Sequence, residues 1–291
     1  MKDYQLYVDS DCDITLEEAN AVGAKFISMP YIEDDKEIYP YETWTEFDSH
    51  AFYQKLRDGK MVSTCAISPE LYKEKFRETF KEGKDILYAH FSTIMSATFN
   101  AMRLALDELK EEFPDRAFYE IDAKGITIGA RSLVLDIMNL YKEGKSVEEL
   151  LAYAEREVQH YAVYFFADNL KFFKRSGRVT GFKALMGDLV GVKPIIYMDS
   201  EGKMVNIGRA KGRLKALETL LTYVENLQEN LKDHNVVIAH TDNDDLAHKL
   251  GKMVSDKFGK DVTIAYNVVN PTAGAHCGPD TIGISFHAIH R

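Results

Sequence analysis

Thr64 and Ser96 each stand where an apolar strand is expected to hand over to a helix, and two hydroxyls so placed could donate hydrogen bonds to one anion. Thr64 belongs to Ser63-Thr64-Cys65-Ala66-Ile67-Ser68-Pro69-Glu70, a loop ending in a Ser cap with Pro at the first helical position. Ser96 belongs to Ser92-Thr93-Ile94-Met95-Ser96-Ala97-Thr98-Phe99-Asn100, after the run from Ile86 to Phe91. It opens a helix on which Phe99, Met102, Leu106, Leu109 and Phe113 keep helical period. A helix N-terminus carries unpaired N–H groups and about half a positive charge, which favours a carboxylate or phosphate. Taken singly, each hydroxyl also reads as an ordinary N-cap, so neither decides between capping and anion binding.

Other residues invite chemistry of their own. Asp9-Ser10-Asp11-Cys12-Asp13 follows an apolar strand and resembles the paired aspartates of haloacid-dehalogenase-type phosphatases. There one carboxylate attacks phosphorus and its neighbour passes protons. Asp13 departs from the Thr or Val expected at its position, and the same residues serve as a strand end leading into a cap at Thr15. A calcium loop fails because Ile14 replaces the turn glycine and Asn20 the closing Glu. Lys171, Lys174, Arg175 and Arg178 surround Phe172, Phe173 and Gly177, which reads either as a solvated face or as a docking patch for a partner or an anionic lipid surface. His276 lies between Gly274 and Gly278, where a neutral imidazole could meet a hydroxyl or carboxylate or simply fill a turn. None of the nine histidines pairs at metal-ligand spacing, and neither a Walker loop nor a G-x-G-x-x-G stretch is present.

Composition sets bounds. At 291 residues, 45% hydrophobic and 28% charged, the chain is long enough for two globular domains. A formal charge of −10 argues against broad nucleic-acid binding. Cys12, Cys65 and Cys277 are odd in number and widely spaced, so reduced thiols are expected rather than disulfides or zinc. The opening residues Met1-Lys2-Asp3-Tyr4-Gln5 lack an apolar leader, and no later run reaches membrane-span length, so a soluble cytoplasmic protein is expected.

The elements that must position these residues alternate in the first half. A strand near Tyr4 to Asp9 precedes a helix capped by Thr15 and Glu18 and closed by Gly23. A strand from Lys25 to Met29 is followed by an acidic aromatic stretch, Ile32 to Ser49, read as a loop leading into a helix near Phe47 to Leu56. Further strands are expected near Ile86 and from Ala117 to Ile121, with helices at Ala130 to Tyr141 and Val147 to Gln159. Strands separated by such helices imply a parallel sheet, whose ligands gather beyond the carboxyl ends of the strands. From about residue 160 the pattern changes to strands at Ala162 to Phe166, Val192 to Met198 and Lys203 to Ile207, broken by glycines and a basic loop. Two strand and helix units and a last strand near Thr281 to His287 suit a mixed or antiparallel sheet.

Together these segments resemble the DegV family of bacterial lipid-binding proteins, block by block and in order. The opening strand ends in Asp9-Ser10; Thr64-Cys65-Ala66-Ile67-Ser68 stands against Thr-Ser-Gln-Pro-Ser; Met95-Ser96-Ala97-Thr98-Phe99 against Leu-Ser-Gly-Thr-Tyr. Ser176-Gly177-Arg178-Val179 with Lys193-Pro194 matches Gly-Gly-Arg-Ile with a Lys-Pro strand, and Gly274-Ala275-His276-Cys277-Gly278-Pro279-Asp280 matches Gly-x-His-x-Gly-Pro-Gly. The resemblance implies an α/β fold: an N-terminal parallel-sheet domain, 1–159, and a second α/β domain with a mixed or antiparallel sheet, 160–291. It also implies that one long-chain fatty acid is buried between them, with no other cofactor and no metal, and that its carboxylate is presented to a partner fatty acid kinase. By the same resemblance Thr64, Ser96 and His276 hold the carboxylate, while Cys65, Ile67, Ile94, Met95 and Ala97 line the pocket. Arg175 and Arg178 meet the head group or the partner, with transient membrane contact as a further expectation. On this reading the chain is a carrier rather than an enzyme; the alternative is a phosphohydrolase built on Asp9 and Asp11. The departures at Cys65, Ala66, Ile67, Ala97, Ser176 and Asp280 bear on loop geometry more than on the hydroxyls.

Overall fold

The computed structural model describes residues 3–42, 47–180 and 191–291. Trp44, in the acidic aromatic stretch, lies outside them. Every residue of strand Tyr4–Asp9 is buried, as expected for a strand with helices on both faces. It is central in a four-stranded parallel sheet of order Lys25–Ile27, Tyr4–Asp9, Asp85–His90, Phe118–Asp122. The first connection is the expected helix, Leu16–Val22, with a Thr15/Glu18 capping box and Gly23 in the left-handed conformation. Helices Pro69–Lys81 and Thr98–Glu112 lie on either side of strand Asp85–His90 in sequence, the first capped by Ser68.

The second sheet has seven strands, in the order Ile264–Val268, Val236–His240, Ile282–His287, Tyr161–Phe166, Val192–Met198, Met204–Lys211, Val179–Thr180. Its pairing is mixed: Tyr161–Phe166 runs antiparallel to both neighbours, whereas Val236–His240 is parallel to Ile264–Val268. One face is covered by helices Arg213–Leu227 and Asp244–Phe258 through a cluster including Leu217, Leu220, Ile238, Leu250 and Phe286. The other face joins the parallel sheet in one continuous core, where Leu6, Val8 and Leu87 share a cluster with Ile196, Met198 and Val237. Helix Ile128–Lys142 touches strands of both sheets and buries Ile128, Leu133, Val134 and Ile137 between them.

Four segments differ from the sequence reading. Tyr31–Glu33 and Lys36–Ile38 form a hairpin rather than a loop, turning at Asp34 and Asp35, both at positive φ (52° and 59°). That is the two-residue turn that suits strand twist, made here with Asp-Asp instead of the more legible Asn-Gly. Ser63–Thr64 pairs with this hairpin, so Thr64 stands on a short strand opposite Tyr31. Leu170–Ser176, expected as a basic loop, is a helix capped by Asn169 and closed by Gly177, and Phe172 and Phe173 bury its inner face. Pro271–Cys277 is a further helix, capped by Asn270.

The turn joining Val192–Met198 to Met204–Lys211 locks onto the first half of the chain. Ser92 Oγ donates to the Gly202 carbonyl at 3.0 Å, and Gly202 has φ 86°. A Cβ there would collide with Ser92 Oγ and lie 3.1 Å from Lys124 Cα. Gly202→Ala is therefore expected to cost about 1–3 kcal/mol through backbone strain and displacement of the loop preceding Ser96. Urea denaturation of the two proteins measures it, and an unchanged midpoint would contradict this packing.

Candidate functional site

The carboxyl ends of all four parallel strands open on one cavity. Met29 follows the first strand in the sheet order, Asp11 the second, Phe91, Met95 and Ser96 the third, and Ile126 and Thr127 the fourth. The opposite wall comes from the seven-stranded sheet, with Val163, Phe165, Met198, Met204, Ala239 and Gly283. About 940 Å³ of atom-free space lies between them, the open mouth included. Most of the lining is aliphatic, aromatic or thioether, so the space suits an apolar guest.

One group of polar side chains stands at the mouth. Thr64, Ser96 and Arg178 line the cavity and are half-buried or exposed, whereas Phe91, Ile128 and Met198 are fully buried. His276 Nε2 lies 2.9 Å from Thr64 Oγ1. Ser96 Oγ accepts from the Thr98 N–H at 3.2 Å, which leaves its own hydroxyl proton uncommitted among the described residues. The N-cap of the helix beginning at Thr98 is Ala97, without a side-chain cap, so Ser96 stands one residue before the cap position and takes only the first helical N–H.

Each polar group is held from behind. His276 occupies the last turn of helix Pro271–Cys277, which packs so closely on Tyr53 that a Cβ at Gly274 would sit 2.9 Å from the ring's Cζ. Asn270 caps that helix, and its backbone N–H and side-chain amide both donate to Asp13 Oδ1, at 3.0 and 2.7 Å. Burial lifts the Asp13 carboxyl to about 7 against the pull of these donors. Arg175 reaches the carbonyls of Val62 and Ala275 at 2.9 and 3.2 Å, clamping the approach to Thr64 onto the helix of His276. Burial first, then the Arg178 and Arg175 charges, depress His276 to about 4, so the imidazole is neutral at physiological pH. In a chain of net charge −10 these two arginines make a local positive field at the mouth.

Thr64, Cys65, Met95, Ser96, Arg178 and His276 thus meet around one space, and three other candidate lining residues do not. Ile67 turns into the core, its N–H taken by Thr98 Oγ1 at 3.2 Å; Ile94 is 50% exposed on the outer side of the loop; Ala97 is exposed at the helix start. Cys65 and Met95 stay on the cavity side, whereas the 3-10 turn Thr93–Met95 carries Ile94 outward and Ile67 lies beyond the short strand. Arg175 borders the site without lining it.

Asp9 is unsuited to nucleophilic attack, being fully buried. Its Oδ1 accepts from the N–H groups of Asp11 and Cys12 at 2.9 and 3.1 Å, and its Oδ2 from the Tyr88 hydroxyl and the Phe91 N–H at 3.0 and 3.3 Å. Asp11 lines the cavity, a position that the sequence reading treated as a strand end. The helix of His276 was also missed, although Asn270-Pro271 is the same cap-and-proline signature that marked Ser68-Pro69. Among the described residues, no helix is long and apolar enough to cross a membrane, and no group of three or more His, Cys, Asp or Glu side chains could hold a metal ion.

The chain belongs to the DegV family, described as "Uncharacterised protein, DegV family", whose profile matches residues 4–288. A DegV domain-containing protein of Clostridium perfringens is 31% identical over 287 residues, covering 98% of each chain. A DegV family protein from Thermus thermophilus, whose structure is described by its fatty acid binding, superposes with a TM-score of 0.84 at 26% identity, over 99% of this chain and all of that one. A DegV family protein from Eubacterium eligens loaded with heptadecanoic acid shares the fold, with a TM-score of 0.79 at 21% identity over 98% and 99% of the two chains.

The depressed His276 gives a stability signature. Between about pH 6.5 and about 4 the unfolded chain binds a proton at this site that the folded chain refuses, so stability falls as pH drops through that window. His276→Gln is expected to remove this share of the acid loss while the carboxylate contributions remain. Denaturant midpoints of both proteins across that range give the difference curve, and parallel curves would contradict a neutral buried imidazole.

Proposed function

We propose that the chain carries one long-chain fatty acid, with the carboxylate at Thr64, Ser96 and His276 and the acyl tail along the apolar cavity. The observation that carries this reading is the cavity itself, mostly apolar in its lining and ending at the Thr64 and Ser96 hydroxyls beside Arg178. The fatty-acid-binding relative from Thermus thermophilus, at 26% identity over the whole chain, supports it. Domains 1–159 and 160–291 close on the acid from either side, with no cofactor beyond it.

The chemistry at the mouth follows from protonation. With its proton on Nε2, the neutral His276 donates to Thr64 Oγ1, and the Thr64 hydroxyl proton is left for a carboxylate oxygen. Ser96 supplies a second donor, and Arg178 adds charge from the rim. The tail dominates affinity: about fifteen methylenes at ~0.8 kcal/mol each give roughly 12 kcal/mol before immobilisation costs, whereas each head-group bond nets about 1–3 kcal/mol. The polar cluster therefore fixes which end faces outward more than how tightly the acid is held.

A fixed, half-exposed carboxyl is useful to an enzyme that must find it in one place, which supports presentation to a partner fatty acid kinase. Arg175 and Arg178 border that opening and are exposed, as residues meeting a phosphate-handling partner would be. Transient contact with a membrane, from which the acid is drawn, and a cytoplasmic location belong to the same reading.

Combined Thr64→Ala and Ser96→Ala is expected to weaken acyl binding by roughly thirtyfold or more, two bonds at about 1–3 kcal/mol each, yet to leave it detectable because the tail contacts persist. Phosphorylation of the bound acid by the cognate kinase is expected to fall by two orders of magnitude or more, about the loss on removing positioned donors at a reacting group. Fatty-acid displacement titration and a kinase assay on the same preparations measure both. Unchanged phosphoryl transfer would remove the hydroxyls from the mechanism; loss of all binding would mean that the head group, not the tail, supplies the affinity.

A further inference from the structure

We propose that Asp11 is a second polar recognition point, deep in the cavity, that selects a long-chain acid bearing a hydroxyl group along its chain. The inference rests on the fatty-acid reading above and adds a preference within that class.

Asp11 lies on the 3-10 turn Ser10–Cys12, lines the cavity, and is only 4% exposed. Among the described residues nothing donates to or accepts from its Oδ1. Its neighbours are satisfied: Asp9 accepts from four donors, and Asp13 from the amides of Asn267 and Asn270. Burial, then the charges of Asp9 and Asp13, push the Asp11 carboxyl well above the ordinary carboxylate range.

Thr272, which also lines the cavity, donates its hydroxyl proton to the Met29 carbonyl at 3.2 Å. Asp11 Oδ1 is left as an acceptor without a donor beside a mostly apolar space. A buried acceptor without a donor is costly, and a plain polymethylene chain passing it displaces water while supplying nothing in return. A hydroxyl on the chain supplies the missing donor. A second carboxylate on the guest does not, because Asp9 and Asp13 already crowd negative charge around the site.

The test is a displacement titration of the wild-type protein with octadecanoic acid and with a series of hydroxyoctadecanoic acids whose hydroxyl moves along the chain. One position is expected to bind on the order of tenfold tighter than octadecanoic acid, with the flanking positions weaker. Asp11→Asn, whose amide oxygen preserves the acceptor, is expected to retain the preference, and Asp11→Leu to lose it while still binding octadecanoic acid. A flat series in the wild type, or a preference that survives Asp11→Leu, overturns the proposal and leaves the fatty-acid reading intact. If no acid binds, both fall. Should Asp11→Leu fail to fold, the positional series in the wild type decides alone.

Discussion

The Asp9 carboxylate fixes the floor from which the rest of the site is built. Two adjacent parallel strands end side by side, and each must turn without its next backbone N–H groups losing their partners. One buried carboxylate meets both needs, accepting from Asp11 and Cys12 after the first strand and from Phe91 after the second, with the Tyr88 hydroxyl as a fourth donor. Burial raises its pKa, and the neighbouring His90 and these donors oppose the rise. The turn after the first strand carries Asp11 into the cavity, and the turn after the second carries Met95 and Ser96. An acid that could pass for a nucleophile in sequence is a structural clamp in space.

A second constraint works from the opposite half. His276 approaches Thr64 because helix Pro271–Cys277 is anchored at its start by Asp13, along its flank by Tyr53 and near its end by Arg175. These anchors come from three separate segments of the chain and converge on seven residues. The polar end of the cavity is therefore pre-formed: its hydrogen-bonding groups are positioned by buried contacts behind them, and the guest need not order them.

The parallel βαβ organisation was legible because strand Tyr4–Asp9, the Thr15/Glu18 capping box, Gly23 and the Ser68-Pro69 cap are local signals. The mixed second sheet was legible in outline from its change of pattern near residue 160. The hairpin at Asp34-Asp35 was not, since acidic residues in a strand usually mark a loop, and here only the positive φ of the turn reveals the pairing. Helix Leu170–Ser176 hid because its charges outnumber its two buried phenylalanines over barely two turns. Within the site, Thr64, Ser96 and His276 came from ordered motif resemblance, while Ile67, Ile94 and Ala97 were misplaced because neighbours in sequence were taken to share a wall. The deep lining, from Met29 through Val163 to Ala239, carries no local signature at all. Those residues share a surface only because four strand ends meet the face of another sheet.

The central claim is that a polar mouth and an apolar channel orient one acyl chain. A crystal structure of the protein with octadecanoic acid tests it most directly. The account predicts the carboxylate within hydrogen-bonding distance of Thr64 and Ser96 and the tail running past Phe91 and Met198 toward Asp11. An acid bound in the reverse direction, or seated anywhere outside this cavity, would contradict it.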